Sequence, residues 1–341
     1  MQKIIVSDTP HVRSKLTTKR IMLDVIIAIV PALVAGIVFF GGRAAFNVAI
    51  AVVSCCLTEW IWLLVKKVPV KDIFKKFDFT SIVTGLLLAL SLPPLDYKYF
   101  YIPLLSGIFA VGVVKMLFGG TGKNVVNPAV TGRVFAFISF LGAMTSGWIQ
   151  PAFGSISGKV VTGATILTDM LAGVRPTLSN LDLFLGTGVT GCIGETSKVA
   201  ILIGYIYLVV RRVIKWQWPV IVVGVTGLVG VLLNGCDFTL FLPYILSGGL
   251  IYGAVFMATD YVTSPANNLA RYIYYVLMGV VIALLRKGTG IETVSFAILL
   301  MNLIVPLLSL HVRPRPFGSV PFGVLVKEKF AKLGKKGGKA E

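Results

Sequence analysis

Long apolar segments alternate with short polar loops along most of this 341-residue chain. A helix needs roughly 20 apolar residues to cross a bilayer, and segments of about this length occur ten times. The third and ninth are short, and the polar run Gly194–Lys198 interrupts the sixth. The pattern predicts an all-α integral membrane protein with about ten transmembrane helices. The predicted spans are residues 21–40, 46–65, 79–95, 100–118, 129–148, 190–210, 217–234, 239–258, 272–285 and 291–310.

The longest polar interval, residues 149–189, divides these spans into two halves of about five helices each. The first half covers residues 21–148 and the second covers residues 190–310. Residues 1–20 are polar and lack the apolar core of a signal peptide, so we expect the first span to be retained. Residues 311–341 form a tail rich in Lys and Gly that cannot bury a core, and we expect it to lie along anionic lipid.

Basic residues predict how these spans are oriented. Cytoplasmic loops of membrane proteins are enriched in Lys and Arg. With ten spans, one set of alternate loops carries about four times as many Lys and Arg residues as the other set. The asymmetry predicts that both termini are cytoplasmic and that the 149–189 loop lies outside.

Composition excludes several classes of protein. Hydrophobic residues make up 56% of the chain and charged residues 13%. A soluble enzyme of this length could not bury so much apolar surface. The net charge of +18 is spread among loops without a folded basic domain, so we predict no nucleic-acid binding. The four cysteines show no C-x-x-C spacing, so we predict neither a zinc site nor an iron–sulfur cluster held by this chain alone.

An internal duplication is also visible. The segment from Pro103 to Met116 matches the segment from Pro243 to Met257, because Ser-Gly is followed by Met after a similar interval in both. A polar break then leads to Pro-Ala and a basic residue in each copy, at Arg133 and Arg271 respectively. Transporter-like folds use such duplicated, discontinuous helices to build a site near the middle of the membrane. The symmetry that relates the two copies stays open.

Several motifs resemble a family of membrane subunits, RnfD and NqrB, which belong to Rnf and Na+-translocating NADH:quinone oxidoreductase complexes. The likeness extends from Ser7 to Pro306, and the chain length is closer to RnfD. The motifs that carry the resemblance are Ser7-Asp8-Thr9-Pro10-His11, Gly119-Gly120-Thr121-Gly122-Lys123-Asn124, Asn127-Pro128-Ala129, Thr162-Gly163-Ala164-Thr165, Gly194-Glu195-Thr196-Ser197 and Met257-Ala258-Thr259-Asp260-Tyr261.

The resemblance implies an RnfD subunit of a multi-subunit Rnf complex in the cell (inner) membrane. Such a complex is a ferredoxin:NAD+ oxidoreductase that moves Na+ or H+, and its other subunits hold the clusters and nucleotide sites. The resemblance implies FMN joined through its phosphate to Thr165, with Thr162, Gly163 and Ala164 forming the rest of the attachment motif. A flavin transferase would attach this FMN. The resemblance also allows riboflavin as a second flavin.

The position of Thr165 suits an anionic group. It precedes a short apolar run, Ile166–Leu171, whose predicted helical N-terminus would face the phosphate. The chain departs from the family at Lys159, where an acidic residue is frequent. Lys159 either weakens recognition by the transferase or pairs with the flavin phosphate.

The glycine-rich run Gly119–Lys123 lacks the full phosphate-loop pattern, and it is interpreted as a break in a discontinuous helix or as part of a non-covalent flavin site.

Ionisable residues within the predicted spans are costly in a bilayer and therefore predict function. Asp24 and Asp260 lie near the ends of spans and are expected to reach water. Glu195 and Lys198 would neutralise one another if that segment is helical. Glu59, inside the second span, is the best candidate for an ion-linked carboxylate, although a structural hydrogen bond explains it equally well.

Two other functions agree with the same pattern. A duplicated channel or secondary transporter for a small solute would also use duplicated halves and buried charges, with the Thr-Gly-Ala-Thr sequence accidental. A structural anchor for redox partners is the third alternative. Covalent flavin separates the favoured function from both, because neither alternative requires it.

Overall fold

The computed structural model describes residues 17–146, 179–187, 189–289 and 293–312, and every regular element in these ranges is helical. The helices are α1 (Thr18–Phe40), α2 (Gly42–Val65), α3 (Val70–Lys76), α4 (Thr80–Ser91), α5 (Tyr97–Met116), α6 (Pro128–Ser139), α7 (Leu141–Ser146), α8 (Asn180–Leu185), α9 (Lys198–Val210), α10 (Gln217–Leu233), α11 (Phe238–Leu246), α12 (Leu250–Met257), α13 (Asn268–Thr289) and α14 (Val294–His311).

Helix length and apolar character identify a multi-pass membrane protein. In the described ranges, α1, α2, α5, α13 and α14 are each long and apolar enough to span a bilayer. Helices α11 and α12 meet at a bend of 66° and together could make a sixth span. Many large apolar side chains on these helices are exposed, as is expected for surfaces that face lipid.

The ten predicted spans can be compared with these helices one by one. Each overlaps helical structure, but α4, α9 and α10 are short apolar helices, and the eighth predicted span is the bent pair α11 and α12. The predicted start of the sixth span at residue 190 was wrong. Residues 189–197 are turns and extended backbone, and the helix begins at Lys198 after an N-cap at Ser197, whose hydroxyl accepts from Ala200 N.

Helix α4 is the centre of the first half of the chain. Eleven of its twelve residues are buried, because it packs between α1, α2, α5 and α6 rather than against lipid. A side chain on Gly85 would approach Val52 Cα to 2.7 Å, so the glycine permits close contact between α4 and α2. A helix with this location needs apolar residues on all sides, which is why its sequence resembles that of a transmembrane span.

The end of α4 meets the break before α9. Gly194 N donates to Leu90 O at 2.7 Å, and Ile193 N donates to Leu92 O at 3.1 Å. These bonds satisfy carbonyls at the C-terminus of a buried helix, which have no intrahelical partner. The two halves of the chain are therefore joined by backbone hydrogen bonds inside the protein.

We expect Gly194→Ala to destabilise this junction by about 1–3 kcal/mol, because a Cβ there would lie 2.6 Å from Leu90 Cβ. Unfolding by sodium dodecyl sulfate in detergent micelles measures the change. Gly224→Ala in α10 is the control, since a Cβ at that position meets nothing within 4 Å. The control should change stability by no more than about 1 kcal/mol, and in the stabilising direction. Equal effects of the two variants would show that the junction is not tightly packed.

The two copies of the predicted duplication share an unusual local structure. Phe109–Met116 at the end of α5 is a π-helix, and so is Gly253–Met257 at the end of α12. Each stretch ends at the methionine shared by the two matched segments, Met116 in the first and Met257 in the second. Because π-helical turns are rare and concentrate at functional sites, both segments indicate a specialised region.

Candidate functional site

A cleft that is partly open to solvent is lined by residues from the π-helical ends of α5 and α12 and from α1, α4 and α9. Apolar side chains such as Met22, Val25 and Leu208 form much of its wall. Nine polar residues also line it. These are Thr80, Thr84, Lys115, Thr121, Asn124, Asn127, Thr259, Asp260 and Tyr261.

The innermost polar group of the cleft is an ion pair between α5 and α2. Lys115 Nζ lies 3.0 Å from Glu59 Oε1, and both side chains are buried. The ammonium also donates to Thr80 Oγ1 at 2.6 Å and to Ser81 Oγ at 3.1 Å, while Ser81 Oγ donates to Glu59 Oε2. Such a pair persists in an apolar interior only when further hydrogen bonds satisfy both charges. The alternative of a structural hydrogen bond for Glu59 therefore has direct geometric support.

The network continues from the ion pair to Asp78 in the loop before α4. Thr80 Oγ1 donates to Asp78 Oδ1 at 2.5 Å and lies 3.3 Å from Thr121 Oγ1. Burial raises the pKa of Asp78, but hydrogen bonds from Thr80 and Thr121 and the charge of Lys115 lower it more, so the net pKa lies below the usual value. Asp78 is therefore ionised at neutral pH. Glu59 thus contacts the ammonium of Lys115 directly, and Asp78 is linked to it through the hydroxyl of Thr80.

Asp260 lines the cleft in the loop after α12. Its carboxylate accepts from Thr263 Oγ1 at 3.1 Å and from Val262 N at 3.4 Å. Burial raises the pKa of Asp260 above its usual value, although these hydrogen bonds counteract the shift. Asp260 is half-buried, at the cleft end of the connection between α12 and α13.

Asn127 connects the start of α6 to the π-helical end of α12. Its Oδ1 accepts from Ala129 N at 3.0 Å and from Val130 N at 3.3 Å, which caps α6. Its Nδ2 donates to Met257 O at 3.1 Å, at the end of α12. One side chain therefore joins the break of the first copy to the π-helix of the second.

The glycine-rich run Gly119–Lys123 is a connection between helices and not a break within one helix, which corrects the sequence interpretation. Gly119, Gly120 and Gly122 have φ of 112°, 94° and 84°, a region that side chains disfavour. These turns bring Thr121 and Gly122 to the edge of the cleft. The run thus contributes backbone and a hydroxyl group to the candidate site.

Asp24 does not reach water as predicted. It is buried in α1, where its Oδ1 lies 3.2 Å from Arg211 Nη2 and accepts from Tyr207 OH at 3.0 Å. The prediction failed because Arg211 lies 187 residues away and packs against α1 only when α9 docks there. The ion pair of Asp24 with Arg211 therefore links α1 to the end of α9.

Glu195 lies in a turn before α9, so Glu195 and Lys198 do not stand at i, i+3 on one helix as the sequence predicted. Glu195 Oε1 accepts from Cys192 N at 2.8 Å, and Lys198 Nζ donates to Glu195 O at 2.7 Å. Nearby, Arg133 on α6 donates to Ser295 Oγ at 2.9 Å and contacts Cys192 Sγ at 3.5 Å. These buried polar groups hold the break before α9 against α6 and α14.

Sequence reasoning missed two features. Arg286 was assigned to a loop but is fully buried on α13, where it donates to Tyr244 O at 2.8 Å and Ser247 O at 3.0 Å. The sequence signal is the break at Ser247–Gly249, because carbonyls at the end of α11 need donors. Lys115 was recognised within a span, but its pairing with Glu59, 56 residues away, has no local signal.

The predicted attachment residues Thr162, Gly163, Ala164 and Thr165 lie outside the described residues, as does Lys159. Among the residues that are described, no group of three or more His, Cys, Asp or Glu side chains is placed to hold a metal ion. The candidate site in the described ranges is thus the cleft and its polar network.

Comparison with known proteins extends over nearly all of this architecture. The family model described as "NQR2, RnfD, RnfE family" matches residues 5–318. The chain is 39% identical over 318 residues to the D subunit of the Na(+)-translocating ferredoxin:NAD(+) oxidoreductase complex of Acetobacterium woodii, covering 92% of this chain and 95% of that protein.

Two further relatives have similar coverage. The D subunit of the proton-translocating ferredoxin:NAD(+) oxidoreductase complex of Clostridium ljungdahlii is 34% identical over 92% of this chain and 96% of that protein. The D subunit of the ion-translocating oxidoreductase complex of Actinobacillus succinogenes is 31% identical over 92% of this chain and 97% of that protein. The predicted family is confirmed by these matches. The chain belongs to the NQR2, RnfD, RnfE family.

Proposed function

We propose that this chain is the RnfD subunit of a multi-subunit, ion-translocating ferredoxin:NAD+ oxidoreductase (Rnf) complex and works in the cell membrane. The observation that carries the proposal is the 39% identity to the A. woodii protein over 92% of this chain. The transported ion is Na+ or H+, since relatives of both kinds are similar to the chain. The chain is one part of the enzyme and requires partner subunits for turnover.

The proposal includes FMN esterified through its phosphate to Thr165 by a flavin transferase. Thr162, Gly163 and Ala164 complete the attachment motif, and the small residues leave space for the transferase. Bound flavin supplies one- and two-electron transfer, while the chain supplies position and electrostatics. Family membership supports this assignment, because the motif stands between the two membrane halves in the expected order.

The cleft is proposed as the site of a second, non-covalent flavin such as riboflavin. Its apolar wall suits a flat aromatic ring system. Thr121, Asn124 and Thr259 offer donors and acceptors for the edges of the ring and for its hydroxylated side chain. Lys115 would place positive charge near the ring, held in position by Glu59 and Ser81.

Ten spans with both termini in the cytoplasm remain our proposed topology, with the Thr165 loop on the opposite side. The distribution of Lys and Arg supports it. The two π-helical segments, each of which ends at the matched methionine, support a duplication.

The four carboxylates proposed for the ion pathway fall into two groups. Glu59 joins the polar network of the cleft and Asp260 lines it, so we place the pathway there. Asp24 and Glu195 are proposed to act indirectly, because Arg211 and the Cys192 N–H hold them in place.

We expect denatured wild-type protein, made with an active flavin transferase, to fluoresce as a flavin band in a gel. The Thr165→Ala variant should be dark, because it lacks the hydroxyl that forms the ester. Thr168→Ala is the matched control in the same segment and should keep its fluorescence. Flavin released from folded Thr165→Ala by denaturation would come from the cleft.

Fluorescence of Thr165→Ala equal to wild type would place the covalent flavin elsewhere. A second protein that the same transferase labels shows that the enzyme is active. If the wild-type band is dark beside this control, the chain carries no covalent flavin, and a transporter or an anchor becomes the favoured function.

A further inference from the structure

A second, basic pocket lies beside the cleft and has about 520 Å³ of empty space. It is formed by the connection between α9 and α10 and the connection between α12 and α13. Three cationic side chains line it, namely Arg212, Lys215 and Arg271. Trp218 and Tyr275 stack behind them with ring centroids 5.2 Å apart.

Two of the three cations of this pocket have neutral hydrogen-bond partners. Lys215 Nζ donates to Asn268 Oδ1 at 3.2 Å, and Arg271 Nε donates to Pro265 O at 2.6 Å. Within the part of the chain that the structure describes, no carboxylate pairs with Arg212, Lys215 or Arg271, whereas the adjacent Arg211 pairs with Asp24. Three like charges around one cavity repel one another, and an anion inside it would remove that repulsion.

The surroundings of the pocket are apolar and exposed. Trp216 stands beside it with 61% of its surface exposed, and Leu269 and Tyr272 are exposed at the start of α13. Ile273 and Val276 continue this exposed face along α13. A tryptophan and basic residues at the ends of apolar helices are typical of the boundary between lipid headgroups and acyl chains.

We propose that the basic pocket binds the headgroup phosphate of an anionic phospholipid, whose acyl chains lie along the exposed face of α13. The phosphate is held by Arg212, Lys215 and Arg271, and Trp216 marks the interface. Basic pockets between transmembrane helices bind phosphate-bearing headgroups by the same combination of charge and apolar contact. The proposal does not depend on the redox function of the chain.

The chain contains a closely matched control loop. Lys66 and Lys67 follow α2 as Arg211 and Arg212 follow α9. Lys67 and Arg212 have φ of 56° and 58°. Lys66 Nζ lies 5.8 Å from the Trp62 ring, the same distance as Lys215 Nζ from the Trp218 ring. Lys66 and Lys67 do not line the basic pocket.

Native mass spectrometry of the full chain in detergent, titrated with dioleoyl phosphatidylglycerol or dioleoyl phosphatidylcholine, tests the proposal. We expect phosphatidylglycerol to bind the wild type more tightly. The double variant Arg212→Gln/Lys215→Gln should bind it about 10- to 30-fold more weakly, with phosphatidylcholine binding unchanged. The control Lys66→Gln/Lys67→Gln carries the same change in charge and should keep wild-type affinity.

Three outcomes would overturn the proposal. They are equal binding of both lipids by the wild type, equal loss of affinity in the two double variants, and displacement of the lipid by millimolar inorganic phosphate. The last outcome would identify a site for a free anion. If the pocket variant does not fold, the lipid preference of the wild type and its displacement by phosphate still decide the question.

Discussion

Replacing Lys115 with methionine should destabilise the protein by about 3–5 kcal/mol, because the Glu59 carboxylate would remain buried without its cation. The hydroxyls of Thr80 and Ser81 would also lose a donor. Methionine has a similar length and fills the same space, so the loss would come from electrostatics and not from a cavity. Unfolding by sodium dodecyl sulfate in detergent micelles gives the free energy of each variant.

A double-mutant cycle separates the charge from the packing. Glu59→Gln combined with Lys115→Met removes both charges and should recover much of the lost stability. Lys98→Met is the control, because Lys98 is exposed at the start of α5 and should change stability by less than about 0.5 kcal/mol. A loss below about 1 kcal/mol for Lys115→Met would mean that water reaches the pair.

Replacing Asn127 with alanine should destabilise the protein by about 2–4 kcal/mol. Loss of the N-cap of α6 contributes about 1 kcal/mol, and the buried Met257 carbonyl would lose the donor that ties it to α6. The same substitution widens the cleft beside Thr259. We therefore expect non-covalent flavin, measured after release by denaturation, to decrease together with stability.

Ser197→Ala is the matched control for this prediction. It removes the N-cap of α9, but within the described residues Ser197 makes no hydrogen bond to another helix like the one from Asn127 to Met257 O. Its expected loss is about 1 kcal/mol. If Asn127→Ala costs no more than Ser197→Ala, the bond to Met257 does not contribute to stability, and the start of α6 is held against α12 by packing alone.

Hydropathy located the helices well because the bilayer requires apolar length, whichever residues provide it. The same reasoning could not tell α4 from a span that faces lipid, since a helix surrounded by protein is also apolar on all sides. It placed the start of α9 too early because Val189–Ile193 is rich in small and apolar residues. Tertiary hydrogen bonds from Ile193 and Gly194 to α4 hold that stretch outside the helix.

Sequence motifs indicated the glycine-rich connection and several of the polar residues that line the cleft. Spacing could not predict that Lys115 meets Glu59 or that Asp24 meets Arg211, because both pairs form across helices far apart in sequence. Arg286 was misassigned for a related reason. A basic residue near the end of an apolar helix is usually a topology signal, and here it satisfies carbonyls of a bent helix pair.

The two π-helical stretches have a practical consequence for placing probes. Their hydrogen bonds run from residue i to i+5, so each turn holds more residues than the 3.6 of an α-helix. A helical wheel drawn through α5 or α12 therefore assigns the wrong direction to residues beyond Phe109 and Gly253. Cysteine pairs for crosslinking, or spin labels for distance measurement, should therefore be chosen beyond these two residues by their positions in the structure, since α-helical periodicity would place them on the neighbouring face.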